Sequence, residues 1–113
     1  DKFSHAIGDE VLKAVAGILN DGIRASDVVA RYGGEEFVVI FPETPLMQAV
    51  EQCERLRKKI ENFPWSAIHP DLQVTMSIGL NGDLSFDGFE QMLAVADHNL
   101  FQAKAEGRNR LCY

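Results

Sequence analysis

The stretch that decides the fold is Arg31-Tyr32-Gly33-Gly34-Glu35-Glu36-Phe37. Runs rich in β-branched and aromatic residues flank it, over 27–32 before and 37–41 after. Because glycine reaches positive φ without steric cost, two glycines between two such runs predict a β-hairpin. The predicted tip carries two adjacent carboxylates beside bare backbone. That arrangement is typical either of a solvated turn or of a site where carboxylates hold a divalent metal against a phosphate.

Length and composition limit the classes of protein to which the chain can belong. A chain of 113 residues suits one domain, predicted over 1–113, and 46% hydrophobic with 25% charged residues is ordinary for a globular protein. No apolar run approaches the roughly 18–20 residues that cross a bilayer, so we expect no direct membrane contact from this domain. The net charge of −6 argues against a partner that is a nucleic-acid polymer, but not against a nucleotide with its magnesium. Cys53 and Cys112 match no metal spacing and indicate reduced thiols in a cytoplasmic protein.

Apolar spacing predicts a helix on each side of the hairpin. The first is expected over 8–20, with Asp9 as its cap or in its first turn. The second is expected over 45–62, with Thr44 as its N-cap. Its charged outer face, which includes Arg57, is expected to be solvated.

The second half of the chain predicts a strand over 72–80, a helix over 89–105 and a short closing strand over 110–113. Phe86 and Asp87 lead into that helix. The order α β β α β α (β) indicates an α/β (α+β) fold, in which helices flank a mixed sheet. Three strands and a short fourth make a thin sheet for three helices, so we expect the fold to lack its first strand.

Several motifs together resemble one family. Gly33 to Phe37 is the signature after which the GGDEF family of diguanylate cyclases is named, in its Glu-Glu form. Asp1 to Asp9 is similar to the family's Asn-Asp-x-x-Gly-His-x-x-Gly-Asp, entered at the second residue, with Ser4 replacing a glycine. Arg24-x-x-Asp27 has the spacing of the family's product-inhibition motif, and 103–110 is similar to its C-terminal segment. The whole chain therefore resembles the C-terminal portion of a GGDEF domain.

The resemblance implies a palm-like fold shared with nucleotide cyclases and the condensation of two GTP molecules to cyclic di-GMP and two pyrophosphates. It implies Mg²⁺ or Mn²⁺ as cofactor and a homodimer in which each subunit brings one GTP. It also implies a sensory domain upstream in the parent protein, which leaves open whether that parent is membrane-anchored. Phosphoryl transfer depends mainly on positioning and charge stabilisation, which suits the glycines, carboxylates and basic residues of these motifs.

By the same resemblance, Glu35 and Glu36 are the catalytic metal ligands, and Gly34 lets the backbone reach a phosphate. Lys104 and Arg108, four residues apart on one helical face, would neutralise the outer phosphates of GTP. Without the family, these two basic residues are better explained as partners of the helix dipole at its C-terminal end.

Guanine recognition and regulation are implied in the same way. Asp9 would accept hydrogen bonds from guanine N1 and N2, and Leu12 would pack on the base, although periodicity alone makes Leu12 a core residue. Arg24 and Asp27 would bind cyclic di-GMP for product inhibition, with Arg55 as a further contact.

The family's segment before the first residue carries a strand with a metal-binding aspartate, lysine contacts to phosphate and a guanine-binding asparagine. We therefore expect residues 1–113 by themselves to have little or no activity, even if the parent is a competent cyclase. A non-catalytic receptor for cyclic di-GMP is the alternative function, although the intact Gly-Gly-Glu-Glu-Phe motif favours the enzyme. A cyclase acting on a single nucleotide fits the motifs poorly.

Overall fold

The structure is a computed structural model that describes residues 3–83, 85 and 88–113. Asp1, which opens the family-like segment, and Phe86 and Asp87, predicted to lead into the third helix, lie outside the described residues. The elements in chain order are α1 (His5–Asp21), β1 (Val28–Gly33), β2 (Glu36–Ile40), α2 (Leu46–Glu61), a short 3₁₀ turn (Trp65–Ala67), β3 (Ile78–Gly79), α3 (Phe89–Ala105) and β4 (Leu111–Cys112).

The first helix begins earlier than its sequence pattern predicts. The Ser4 hydroxyl accepts a hydrogen bond from the Ile7 backbone N–H at 3.3 Å and caps α1. The predicted start at residue 8 or 9 is therefore wrong, and Asp9 neither caps the helix nor lies in its first turn. The helix ends at Asp21, one residue beyond the predicted end, and the N–H of Gly22 donates to the Ile18 carbonyl at 3.0 Å.

The predicted hairpin is confirmed. Strands β1 and β2 pair antiparallel, with an irregularity between Arg31 and Gly33 just before the turn. Gly34 adopts a φ of +40°, the left-handed conformation for which glycine is suited. One face of the hairpin is anchored, because Val29 and Phe37 pack against the main hydrophobic core.

That core joins α1, α2 and the loop after α2. The buried side chains that form it are Val15, Leu19, Leu56, Ile60, Trp65 and Leu72. The Trp65 indole N–H donates to the Ile60 carbonyl at 2.6 Å, so the tryptophan closes the end of α2 with both its ring and its polar atom. The N-cap predicted for α2 is wrong: Pro45, whose side chain has no hydrogen-bonding group, occupies that position, and the Thr44 hydroxyl bonds Arg24 and the Pro42 carbonyl instead.

The strand predicted over 72–80 is reduced to β3, which pairs in parallel with β4. The third helix packs closely on β3, since a Cβ added at Gly79 would lie 2.1 Å from the Ala96 carbonyl oxygen. The α/β class is confirmed, and the described strands form two separate two-stranded sheets. No helix in the described part of the chain is long and apolar enough to cross a membrane.

Candidate functional site

The hairpin tip presents open backbone and two carboxylates. Gly34 and Glu35 form the turn, and Glu36 opens β2 opposite Gly33. Both glutamates are exposed, and neither carboxylate makes a hydrogen bond or an ion pair with a described residue. The Arg31 guanidinium donates to the Gly34 carbonyl through Nε at 2.9 Å and Nη2 at 2.7 Å. The tip is therefore held by the Arg31 side chain, while its acidic groups stay available.

The first helix shares its packing with the hairpin. Ile7 and Val11 of α1 pack against the same core as Val29 of the hairpin. Asp9, between them, is exposed, and Leu12 is half-buried and lies outside that core cluster. Residues three apart lie on one face of a helix, so Asp9 and Leu12 can contact one ligand together.

The basic pair is arranged differently from its prediction. Lys104 lies in the last turn of α3, but the helix ends at Ala105 and Arg108 lies beyond it. The φ of Arg108 is +63°, and its N–H reaches back to the Ala103 carbonyl at 2.9 Å. The expectation that Lys104 and Arg108 share one helical face is wrong, because Gly107 (φ +125°) turns the chain out of the helix. Both side chains are nevertheless exposed.

Arg24 and Asp27 are brought together in the connection between α1 and β1. Arg24 donates to Asp27 through Nη2 at 3.0 Å, Nε at 3.3 Å and its backbone N–H at 2.9 Å. The Asp27 side chain is fully shielded, whereas the Arg24 side chain is 53% exposed. The hydrogen bonds from Arg24 lower the pKa of Asp27, and the same contact raises the pKa of Arg24.

Two further residues support this pair: Thr44, which the sequence predicts only as an N-cap, and Gln52, which it does not single out. Arg24 Nη2 also donates to the Thr44 hydroxyl at the start of α2. On the other side, Gln52 of α2 donates to the Gly22 carbonyl and accepts from Arg55 Nη2 at 2.9 Å. Arg24, Asp27 and Arg55, the three residues expected to bind cyclic di-GMP, are therefore connected through α2. This connection depends on contacts between residues far apart in sequence, so the sequence alone does not predict it.

Comparison with known proteins places these features in a family. The family model described as diguanylate cyclase, GGDEF domain, matches residues 1–110. The chain belongs to the GGDEF family. The resemblance drawn from the motifs is thereby confirmed.

The GGDEF chain is 46% identical to the response regulator PleD of Caulobacter vibrioides over 112 residues, which cover 96% of this chain and 25% of PleD. It is 40% identical to the diguanylate cyclase DgcP of Pseudomonas aeruginosa, over 98% of this chain and 16% of DgcP. The chain thus spans a quarter or less of the length of these relatives. The active GGEEF domain of a diguanylate cyclase from Vibrio cholerae superposes with a TM-score of 0.86 at 28% identity, over 99% of this chain and 71% of that one.

The acidic tip of this GGDEF domain fits a small divalent cation. Mg²⁺ prefers oxygen ligands and is commonly held by one or two carboxylates together with substrate phosphates. Glu35 and Glu36 supply two such carboxylates beside the open backbone of Gly34. Within the described ranges, no group of three or more His, Cys, Asp or Glu side chains is positioned to bind a metal. The donor set therefore fits a cation that is shared with a phosphate ligand.

Proposed function

We propose that this GGDEF domain is the catalytic domain of a diguanylate cyclase, which condenses two GTP molecules into cyclic di-GMP and two pyrophosphates. The observation that carries the proposal is the hairpin tip, where Gly34 leaves the backbone open and Glu35 and Glu36 are exposed without an internal partner. Neither carboxylate is used to hold the hairpin together, since neither makes a side-chain hydrogen bond or an ion pair with a described residue.

The chemistry follows from the charges available. Glu35 and Glu36 would hold Mg²⁺ or Mn²⁺, and such a cation orients the α-phosphate and lowers the pKa of the attacking 3′-hydroxyl. The open backbone at Gly34 would let the phosphate chain lie against the hairpin. Lys104 and Arg108, both exposed, would neutralise the charge that develops on the leaving pyrophosphate.

Base recognition is assigned to the first helix. The exposed Asp9 carboxylate would accept from guanine N1 and N2, a donor pair that adenine lacks. Leu12, half-buried one turn later, would pack on the face of the base. Support for this assignment comes from the shared core, on which both α1 and the hairpin with Glu35 and Glu36 pack.

The product is two-fold symmetric, so we propose a homodimer in which two identical sites face each other and each brings one GTP. The 3′-hydroxyl of one nucleotide would attack the α-phosphate of the other. We assign this activity to the full-length protein, in which an upstream sensory domain would control the encounter of the two sites. The expectation that residues 1–113 by themselves turn over little GTP stays a prediction, and substantial GTP turnover by that purified segment would contradict it.

The direct test is cyclic di-GMP formation from GTP and Mg²⁺ by the full-length protein and by its Glu35→Gln and Glu36→Gln variants. Loss of a charge that stabilises the transition state should lower the rate by at least about 100-fold in the Glu35 variant. Glu51→Gln, which changes an exposed carboxylate on α2, is the matched control and should retain the rate. A wild-type protein that forms a 3′,5′-cyclic mononucleotide, or releases no pyrophosphate, would contradict the proposal.

We further propose that cyclic di-GMP binds at Arg24, Asp27 and Arg55 and inhibits the enzyme. Support comes from the contact in which the shielded Asp27 holds a half-exposed Arg24, beside an Arg55 that is tied to the same connection through Gln52. The Arg24 guanidinium can bind a phosphate or a guanine edge with its free N–H groups. Asp27, which already accepts from Arg24 with both oxygens, would chiefly fix its orientation.

The same site would also serve a receptor that binds cyclic di-GMP without making it. Calorimetry with cyclic di-GMP should show binding that Arg24→Ala abolishes and Lys59→Ala, an exposed change on α2, leaves intact. Binding together with pyrophosphate release from GTP indicates the regulated enzyme. Binding without any release indicates the receptor.

A further inference from the structure

Arg57 is placed in a way that its sequence position does not predict. Although it lies on the charged face of α2, its side chain is only 13% exposed. Its Nε and Nη2 donate to both Glu54 oxygens, at 2.8 and 2.7 Å, and its Nη1 donates to the Asn109 side-chain oxygen at 2.7 Å. The predicted solvation of Arg57 is therefore wrong. The guanidinium connects α2 to the turn that follows α3, across 52 positions of sequence.

Asn109 is fixed by further contacts of the same kind. Its Nδ2 donates to Glu61 Oε2 at 2.7 Å, and its backbone N–H donates to the Ser77 hydroxyl at 3.1 Å. The side-chain oxygen and nitrogen of Asn109 are thus both engaged by α2, while its backbone is held by the segment before β3. Such a network, in which each member is satisfied, rigidifies the segments that it joins.

These contacts hold a turn with unusual backbone geometry. Gly107, Arg108 and Asn109 have φ values of +125°, +63° and +48°. The left-handed region is unfavourable for a long side chain such as arginine, so this conformation persists only because surrounding contacts support it. The Arg108 side chain projects from the middle of the turn, is exposed, and makes no hydrogen bond or ion pair with a described residue.

We propose that Arg57 and Asn109 are positioning residues, which hold the Arg108 guanidinium in place for the outer phosphates of GTP. This inference rests on the proposed function, from which Arg108 takes its role. A guanidinium binds phosphate through a rigid fork of donors, so displacement of its backbone weakens the contact even when the side chain is intact. Release of the turn from α2 would allow that displacement.

The test compares GTP with GMP, which has the same base and no outer phosphates, by calorimetry on the full-length protein. The variants are Arg57→Met, which keeps the apolar stem, and Asn109→Gly, which removes the amide but tolerates the positive φ. Each should weaken GTP binding about tenfold, the order of loss expected when a hydrogen bond between charged groups is weakened, and leave GMP binding unchanged. Lys59→Ala on α2 is the control and should bind both nucleotides like the wild type.

A double-mutant cycle separates positioning from a general loss of stability. If Arg57 acts through Arg108, Arg57→Met should weaken GTP binding no further in an Arg108→Ala background. An equal loss in both backgrounds, or an equal loss for GMP, would overturn the inference. So would wild-type GTP affinity in Arg57→Met and Asn109→Gly, or in Arg108→Ala itself. If any of these results is obtained and the wild type still forms cyclic di-GMP, the positioning role is overturned and the proposed function stands. A wild type that fails to bind GTP would contradict both the positioning role and the proposed function.

Discussion

The Arg24 guanidinium and the Asp27 carboxylate meet through two hydrogen bonds, from Nη2 at 3.0 Å and Nε at 3.3 Å, and the Arg24 backbone N–H adds a third at 2.9 Å. The Asp27 side chain is fully shielded, while about half of the Arg24 side chain is exposed. A shielded carboxylate that accepts three bonds stabilises the connection between α1 and β1. The accessible arginine is left to face a ligand.

This geometry predicts an acid-dependent contribution to stability. The contact lowers the pKa of Asp27 in the folded state. Its stabilisation is therefore complete above the unfolded pKa of about 3.9 and is lost as the pH falls through the folded value. Asp27→Asn should lower the free energy of unfolding at pH 7 by about 1–3 kcal/mol, with a smaller difference at pH 3. Urea unfolding at both pH values measures this. Asp71→Asn, at an exposed site, is the control, and a pH-independent difference would count against the ion pair.

The hairpin tip gives a second prediction. Gly34 has a φ of +40°, whereas Gly33 beside it has no positive φ, and a Cβ at either position would meet open space. Gly34→Ala should therefore destabilise the fold by about 1 kcal/mol through backbone strain alone, and Gly33→Ala by clearly less. Thermal unfolding of the two variants side by side provides the measurement. Equal effects would show that the conformation of Gly34 is not the cause.

Local signals account for the parts of the fold that the sequence predicts well. The hairpin depends on two neighbouring glycines between β-rich runs, and the buried stripe of α2 (Cys53, Leu56, Ile60) follows helical periodicity. Strand β3 is different, because it exists only where Ile78 and Gly79 meet β4, more than thirty residues later. Strand pairing of that kind is non-local, so alternation over 72–80 overestimates its length.

The same difference between local and non-local signals decides which features of the candidate site the sequence predicts. The exposed positions of Glu35 and Asp9 follow from a turn and a helix face, which are local features. The roles of Arg57 and Thr44 depend on partners far away in sequence, Asn109 and Arg24. One misjudged feature did carry a local signal: Gly107 followed by Asn109 is typical of a helix C-terminus, and it places Arg108 outside α3.

The contact between β3 and α3 gives a third prediction. A Cβ at Gly79 would lie 2.1 Å from the Ala96 carbonyl oxygen and 2.2 Å from the Leu100 nitrogen, both backbone atoms of α3. Gly79→Ala should therefore push the helix off the strand and destabilise the fold by at least about 1–3 kcal/mol. Gly17→Ala, within α1 and facing open space, should instead stabilise it by roughly 0.5–1 kcal/mol. Chemical denaturation of the two variants measures both changes in stability. A Gly79→Ala protein as stable as wild type would contradict the close approach of β3 to α3.

The exposed carboxylate of Asp9 predicts how the domain selects its base. If Asp9 accepts from guanine N1 and N2, the wild type should bind GTP about tenfold or more tightly than ITP, which lacks the N2 amine, since a hydrogen bond to a charged group is at stake. Asp9→Ala should remove that preference without unfolding the protein, because Asp9 is exposed and caps nothing. Its neighbour Glu10, which is also exposed, provides the matched Glu10→Ala control, which should keep the preference. Competition binding with both nucleotides measures it, and an Asp9→Ala protein that still prefers GTP would place guanine recognition elsewhere.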